Sequence, residues 1–365
     1  MRARKAMGEF KYRTICETLK SEILGGKYSS GHRFPSEAQL IRRFGGSRIT
    51  VIHALQELSR LGLIVRRKGQ GSFLSRRAAN YGRSIGLIVP ISRGEIFPPI
   101  CREVTRLAQQ DGYSIHLADL LAVDAKSRVS EARHIAESFA AQNMMGVIFH
   151  LTDGVADAMR INEAALSVFD AAGIPVVLTD CDVTGYPVRS RYDVVGADDV
   201  DAGYRLTSHI IERGARKIAF LAPKFGGTSF TNRYRGFKAA IDATPRCRGS
   251  IMTNVPDHVA MVKRMMRRGD APDAIVCGND RVAAALMSML ASIGKRVPDD
   301  VLVAGFDDVN FASLVSPRLT TMHQPCTEIG ATAYRTLLAR VENPSLPPRT
   351  ISLTAPLVVR DSTGV

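Results

Sequence analysis

Residues Phe34–Leu74, FPSEAQLIRRFGGSRITVIHALQELSRLGLIVRRKGQGSFL, decide how the chain is read. Ser36 follows Pro35 and precedes Glu37, which suits an N-cap with a carboxylate in the first turn. Leu40, Ile41 and Phe44 give the ensuing helix an apolar face, and Gly45-Gly46 break it. Ser47 caps a second helix in which Val51, Leu55 and Leu58 repeat at helical spacing on one buried stripe. The opposite face carries Arg48, Ile49, Ile52, His53 and Gln56. Gly62 ends that helix. LIVRR then reads as a strand, KGQG as a tight turn and SFL as the returning strand. Helix, turn, helix and a basic two-stranded tip make a winged helix-turn-helix. In that arrangement the start of the second helix meets base edges in the major groove, and the wing reaches phosphate or the minor groove. The DNA-facing candidates are Ser36, Glu37, Arg42, Arg43, Ser47, Arg48, Ile49, Thr50, Ile52 and His53 on the helices. Arg67, Lys68, Gly69 and Gln70, with Arg66 beside them, are the candidates on the wing.

The charge distribution agrees. The 365-residue chain carries a formal net charge of +14. Residues 1–83 hold 18 Lys or Arg against 5 Asp or Glu, whereas residues 84–365 hold 31 against 30. A basic module on a near-neutral body fits a nucleic-acid-binding head on a small-molecule sensor. The length predicts two or three domains, placed at 1–75 for the head, 76–83 for a basic linker and 84–365 for the body. Ahead of the winged unit, Tyr12, Ile15, Leu19 and Ile23 predict a supporting helix over Lys11–Leu24, with residues 1–10 frayed. The six cysteines form no CxxC pair and no zinc-ligand spacing with His, so buried thiols, a reducing cytosol and no metal are expected. No apolar run opens the chain and none is long enough to cross a bilayer. The expectation is a cytoplasmic chain with no membrane partner.

The PSE tripeptide followed by SRxTVxxALxxLxxxGLI and Gly69-x-Gly71 resembles the GntR family of bacterial repressors. Pro35-Ser36-Glu37, Ser47-Arg48, Thr50-Val51, Ala54-Leu55 and Gly62-Leu63-Ile64 stand in register. The family commonly has Arg where this chain has Ile52, and often Arg where it has Ala38. Arg48 is kept, and Arg42 or Arg43 is the substitute for a phosphate contact. An apolar side chain at 52 suits a thymine methyl.

From Ser84 the pattern changes. SIGLIVP, YSIHLAD, MGVIFH, IPVVLTD, KIAFLA, DAIVCGN and VLVAGFD are nearly all-apolar strands alternating with amphipathic helices, and TISLTAPLVVR reads as a last strand. That alternation predicts parallel sheets covered on both faces, here as two successive lobes. The fold class is α/β, an N-terminal winged helix-turn-helix followed by a bilobal body. Ligands in such sheets bind at the carboxyl ends of strands, in the cleft between lobes.

The body resembles the LacI-type, periplasmic-binding-protein-like sensor over roughly 84–360. Arg233 with Gly236-Phe237, Asn279-Asp280 with Ala283 and Leu286, Val297–Asp308, Pro317–Thr321 and Gln324-Pro325 carry the resemblance. A GntR-like head on such a body resembles the arabinose-repressor subgroup. The resemblance implies that Asp180, Arg233, Asn279 and Asp307 line the effector cleft, with Phe97 packed on the ligand. Ser92, after the first strand, is a further candidate. The effector is expected to be small and polar, a sugar or sugar derivative, with a phosphorylated sugar left open. The segment after Ala243 has no aromatic to cover such a ligand, and the chain has no Trp.

The function that follows is a regulator of transcription, a repressor binding a double-stranded operator as a homodimer, with no cofactor and no enzymatic activity. No GxSxG or HExxH run and no phosphate-binding glycine fingerprint is present. The alternative is a sugar-binding or sugar-processing protein on the same α/β fold.

Overall fold

The computed structural model describes residues 2–24, 27–28, 34–61, 63–67, 70–75, 83–122, 124–185, 187–222, 226–252, 259–267 and 271–364. The expected breaks at Gly25-Gly26 and Gly62, the wing residues Lys68 and Gly69 and the linker at 76–82 lie outside them.

The head has three helices, α1 (Arg2–Leu24), α2 (Glu37–Phe44) and α3 (Arg48–Arg60). A hairpin follows, β1 (Ile64–Arg67) paired antiparallel with β2 (Gly71–Leu74), with Ile64 opposite Leu74 and Arg67 opposite Gly71. α1 starts at Arg2 rather than at Lys11. Seven of residues 2–9 are Arg, Ala, Lys, Met or Glu, good helix formers that outweigh the single Gly8, and no proline interrupts them. α2 opens with a full capping box: Ser36 Oγ accepts the Gln39 N–H, and Gln39 Oε1 accepts the Ser36 N–H. Gly45 closes it at φ 59°, a left-handed conformation that favours glycine. Ser47 caps α3 through the Thr50 N–H. Ile15, Leu19 and Ile23 of α1 meet Leu40, Val51, Leu55, Leu58, Leu63 and Leu74 in one core, so the wing is anchored by its first and last residues.

The body has two sheets. The first runs β13-β7-β6-β5-β3-β4 in space, all parallel. Its strands are β3 (Ser84–Ile88), β4 (Ser114–Ala118), β5 (Gly146–His150), β6 (Val176–Thr179), β7 (Asp193–Ala197) and β13 (Thr350–Leu353). The helices α4 (Phe97–Gln110), α5 (Ala125–Ala141), α6 (Ala158–Ala171) and α11 (Cys326–Glu342) cover it: α4 and α11 share one apolar cluster with it, α5 and α6 the other. The second sheet runs β14-β12-β11-β10-β8-β9. It contains β8 (Lys217–Leu221), β9 (Arg248–Met252), β10 (Ala274–Cys277), β11 (Leu302–Asp307), β12 (Thr320–His323) and the short antiparallel β14 (Leu357–Val358). α7 (Asp199–Glu212) and α8 (Thr228–Ala243) lie on one face, α9 (Val259–Arg267) and α10 (Asp280–Ser292) on the other.

Residues 350–360, expected as one strand, are two. β13 pairs with β7 in the first sheet and β14 with β12 in the second. Pro356 between them has no N–H for a ladder, and buried Ala355 marks the step from one lobe to the other. The chain also crosses between lobes at 197–199 and at Gln324-Pro325, so three adjacent segments join them. None of the six cysteines is disulfide-bonded. Among the described residues no helix is long and apolar enough to cross a membrane.

Candidate functional site

In the head, the face of α3 opposite the core is open. Arg48, Ile49, His53 and Gln56 are exposed and Ile52 is half-buried. Glu37 organises this face: one carboxylate oxygen takes Arg66 of the wing at 2.7 Å, and the other faces Arg48 at 3.5 Å. His53 meets the Tyr12 ring edge-on at 6.1 Å. Ser36, Ser47 and Thr50 serve the helix caps, with Ser47 Oγ 2.8 Å from Thr50 Oγ1. Arg67 stacks over Phe73 at 5.0 Å, and the exposed Gln70 donates its N–H to the Arg67 carbonyl. Arg43 is committed elsewhere. Its guanidinium forks onto Glu22, touches the Tyr28 hydroxyl and stacks on Phe44. The Arg43 hydrogen bonds pull the Glu22 carboxyl down to about 2. This ion pair ties α1 to α2; Arg42 and Arg43 are both exposed, and Arg43 is the one held by Glu22.

Between the lobes, the carboxyl ends of the parallel strands surround a cavity of about 200 Å³. Five of the residues expected there line it: Phe97, Asp180, Arg233, Asn279 and Asp307. Ser92 does not. Its side chain is exposed, and its backbone N–H donates to Asp119 Oδ2 at 2.9 Å, holding that carboxylate at the cavity wall.

Arg233 is the electrostatic centre, 3% exposed. Its Nε donates to Asp199 Oδ1 at 2.8 Å and its Nη1 to the Gly278 carbonyl at 2.8 Å, with Asp307 Oδ1 3.3 Å away. The Phe306 ring lies 4.8 Å from the guanidinium and Phe230 5.6 Å. Burial alone would weaken the Arg233 cation, but Asp199, Asp307 and Asp180 more than offset it and hold the proton on. Burial pushes Asp199 up to about 7 and Asp307 up to about 6, each against the pull of Arg233. Two glycines place this side chain. A Cβ on Gly236 would stand 2.0 Å from the Val200 carbonyl, and one on Gly203 2.1 Å from the Arg233 carbonyl. Only glycine lets α7 and α8 cross so closely, which sets Arg233 beside Asp199 at the start of α7.

Asp180 and Asp307 both take positive φ, 69° and 109°, turning each carboxylate out of the strand end that precedes it. Such backbone is uncommon for a non-glycine residue and concentrates at functional positions. Asp180 Oδ1 accepts the Gln324 amide at 2.8 Å, linking it to a crossing segment. Asn279 caps α10 through Oδ1, which accepts the Val282 N–H. Phe97, the first residue of α4, packs edge-on against His150 at 4.7 Å.

Several lining residues are not visible in the sequence as such. His150 ends an apolar strand and reads as core, yet it sits on the cavity with Nδ1 3.3 Å from Thr179 Oγ1. Asp153 lies in the next loop, its carboxyl raised by burial, and its Oδ2 accepts the Gly227 N–H of the other lobe at 3.3 Å. Phe230 and Phe311 supply aromatic surface from α8 and from the loop after β11. Further contacts join the lobes: the Asp182 N–H donates to Thr228 Oγ1 and the Asn310 N–H to Glu95 Oε2, both at 3.1 Å. A larger depression of about 680 Å³ lies beyond Thr152-Asp153 against α6, without Arg233, Asn279 or Asp307. Among the described residues no group of three His, Cys, Asp or Glu side chains is placed to hold a metal ion.

The remaining acidic motif residues hold the frame. Asp280 is fully buried and accepts the Thr321 hydroxyl at 2.6 Å and the Val309 N–H at 3.1 Å. Asp308 takes Arg360 at 2.6 Å and His323 at 3.0 Å. These contacts fix the loop after β11, and hence Asp307, against β12.

Comparison with known proteins agrees with both parts. Residues 11–74 match the family model for bacterial regulatory proteins of the gntR family, and residues 207–363 match the periplasmic binding protein-like domain. The arabinose metabolism transcriptional repressor of Geobacillus stearothermophilus is 28% identical over 371 residues, covering 97% of each chain. The transcriptional repressor PurR of Vibrio vulnificus is 29% identical over 297 residues, 78% of this chain and 82% of that one. A solved complex of the transcriptional regulator CelR with cellobiose superposes with a TM-score of 0.65 at 22% identity, covering 94% of each chain. The chain thus carries a gntR-type helix-turn-helix domain at 11–74 and a periplasmic binding protein-like domain at 207–363.

Proposed function

We propose that this protein is a repressor of transcription whose operator affinity is set by a small polar effector bound between its two lobes. Residues 1–75 act as the DNA-binding head, 76–83 as the linker, and 84–365 as the effector-binding and dimerisation body. The protein works in the cytoplasm as a homodimer, so that two heads meet two half-sites. One observation carries the reading: a basic helix-turn-helix head stands on a body whose strand ends converge on a cavity lined by both charged and aromatic side chains. Relatives with the same two parts are named as repressors, and the CelR structure holds a sugar.

The cavity chemistry narrows the effector. At about 200 Å³ it is smaller than sites that take drug-sized ligands. Asp180, Asp307 and Asn279 offer paired acceptors and donors for adjacent hydroxyls, and Phe97, Phe230 and Phe311 offer apolar faces for a ring. A single sugar or sugar derivative suits that wall. No catalytic step is assigned: the raised carboxyls of Asp199 and Asp307 follow from burial and are already paired with Arg233.

A thermal-shift screen against monosaccharides, sugar acids and sugar phosphates tests this reading. A ligand that binds only the folded body raises Tm by mass action. We expect a responding monosaccharide, with the response lost in Asp307→Ala while binding to DNA persists. A response that survives in Asp307→Ala would remove that carboxylate from the site.

A further inference from the structure

Among the described residues of the head two large apolar side chains are exposed, Val65 of the wing at 48% and, more fully, Ile49 of α3. Ile49 is 70% exposed, whereas Val51, Ala54, Leu55 and Leu58 of the same helix are at most 1% exposed. It is the second residue of α3, on the face turned away from the core, and Ile52 stands one turn further along that face, half-buried. Two of its polar neighbours have partners inside the head. Thr50 Oγ1 is engaged by Ser47, and Arg48 leans towards Glu37, which also holds Arg66. The isoleucine pair therefore presents apolar surface at the end of the helix that faces base edges, in a head that carries almost all of the chain's excess positive charge.

We propose that Ile49, backed by Ile52, reads the 5-methyl groups of thymines in the major groove, so that each operator half-site contains a thymine this pair selects. Thymine is the base that presents a methyl group there, and apolar side chains are its partners. The inference rests on the DNA-binding reading above and adds the base class that the apolar face recognises. Ile52 is the inner contact, fixed by its partial burial; Ile49 is the outer one, free to bury its side chain only when DNA is bound.

The test uses the full chain and duplexes it selects from a random-sequence pool. Each thymine of the selected site is replaced singly by uracil, which removes only the methyl group. We expect one or two thymines per half-site at which uracil weakens binding about fourfold, the value of one buried methyl group. In Ile49→Ala or Ile52→Ala that discrimination should disappear, as a double-mutant cycle requires of groups in contact. Ile49→Ala should also leave Tm unchanged, because the side chain is exposed. Equal binding of all uracil duplexes, or a penalty that persists in both variants, would overturn the proposal. A change in self-association of Ile49→Ala with thymine discrimination intact would make the patch a contact between copies, and the proposal would fall. Failure to enrich any duplex would instead remove the DNA-binding reading itself.

Discussion

Asp280 shows how a single buried residue couples motifs that lie far apart in sequence. Its carboxylate reaches Thr321 of β12 and the Val309 N–H after β11, and a Cβ on Gly305 would stand 2.3 Å from its Oδ1. The Asn279-Asp280, Gly305–Asp308 and Thr320-Thr321 runs therefore answer to one packing constraint. Burial pushes the Asp280 carboxyl up to about 8. An unfolded aspartate releases its proton near about 4. Between those values the folded state holds the extra proton, so this group's contribution to stability falls as pH rises, by at most about 1.4 kcal/mol per pH unit. Asp280→Asn cannot titrate. We expect chemical denaturation of the variant from pH 5 to 8 to show a flatter decline than the native chain; an identical slope would mean that Asp280 is ionised in the fold. The same residue scale separates what was legible at the site from what was not. Asp180, Asn279 and Asp307 end apolar strands, and that position alone points into the cleft. His150 also ends one, but the flanking apolar run disguises it, and Ser92 is displaced by its backbone bond to Asp119.

Among the elements, the crossing of α7 and α8 is the most demanding. Its approach depends on Gly203 and Gly236, each leaving less than a Cβ of space against the opposing backbone. Gly236→Ala gains roughly 1 kcal/mol in helix propensity. The added Cβ would stand 2.0 Å from the Val200 carbonyl and 2.5 Å from the Tyr204 nitrogen, so the helices must separate. Overpacking of this kind costs about 1–3 kcal/mol. We expect a lower Tm and, because Arg233 is carried on the shifted helix, weakened ligand response; an unchanged Tm would show that the crossing can relax. Strands differed in legibility for a physical reason. The central strands, buried on both faces, are continuous apolar runs. β7 hides because it is short and opens on Asp193, a buried charge neutralised by Arg340 and Arg349 that no local pattern reveals. β9 is an edge strand exposed along most of its length and has no apolar period to detect. The split of residues 350–360 turns on partners from two different sheets, a tertiary fact signalled only by Pro356.

At the scale of the whole molecule, the head and the body each have their own core, and the two lobes are joined by three crossing segments at one edge of the cavity. One of these carries Gln324, hydrogen-bonded to Asp180. A ligand at Asp180 and Asp307 touches both lobes at once, so its affinity depends on how they are set relative to each other. That dependence is what coupling requires: a ligand shifts an equilibrium only by its difference in affinity for the two states. The most direct measurement is the affinity of the full chain for its selected duplex, with and without the sugar that raises its Tm. We expect that sugar to change duplex affinity by about 5–150-fold, the usual span of allosteric coupling, and Asp307→Ala to bind the duplex with no change on sugar addition. A sugar that stabilises the body while leaving duplex affinity untouched would contradict the proposed coupling.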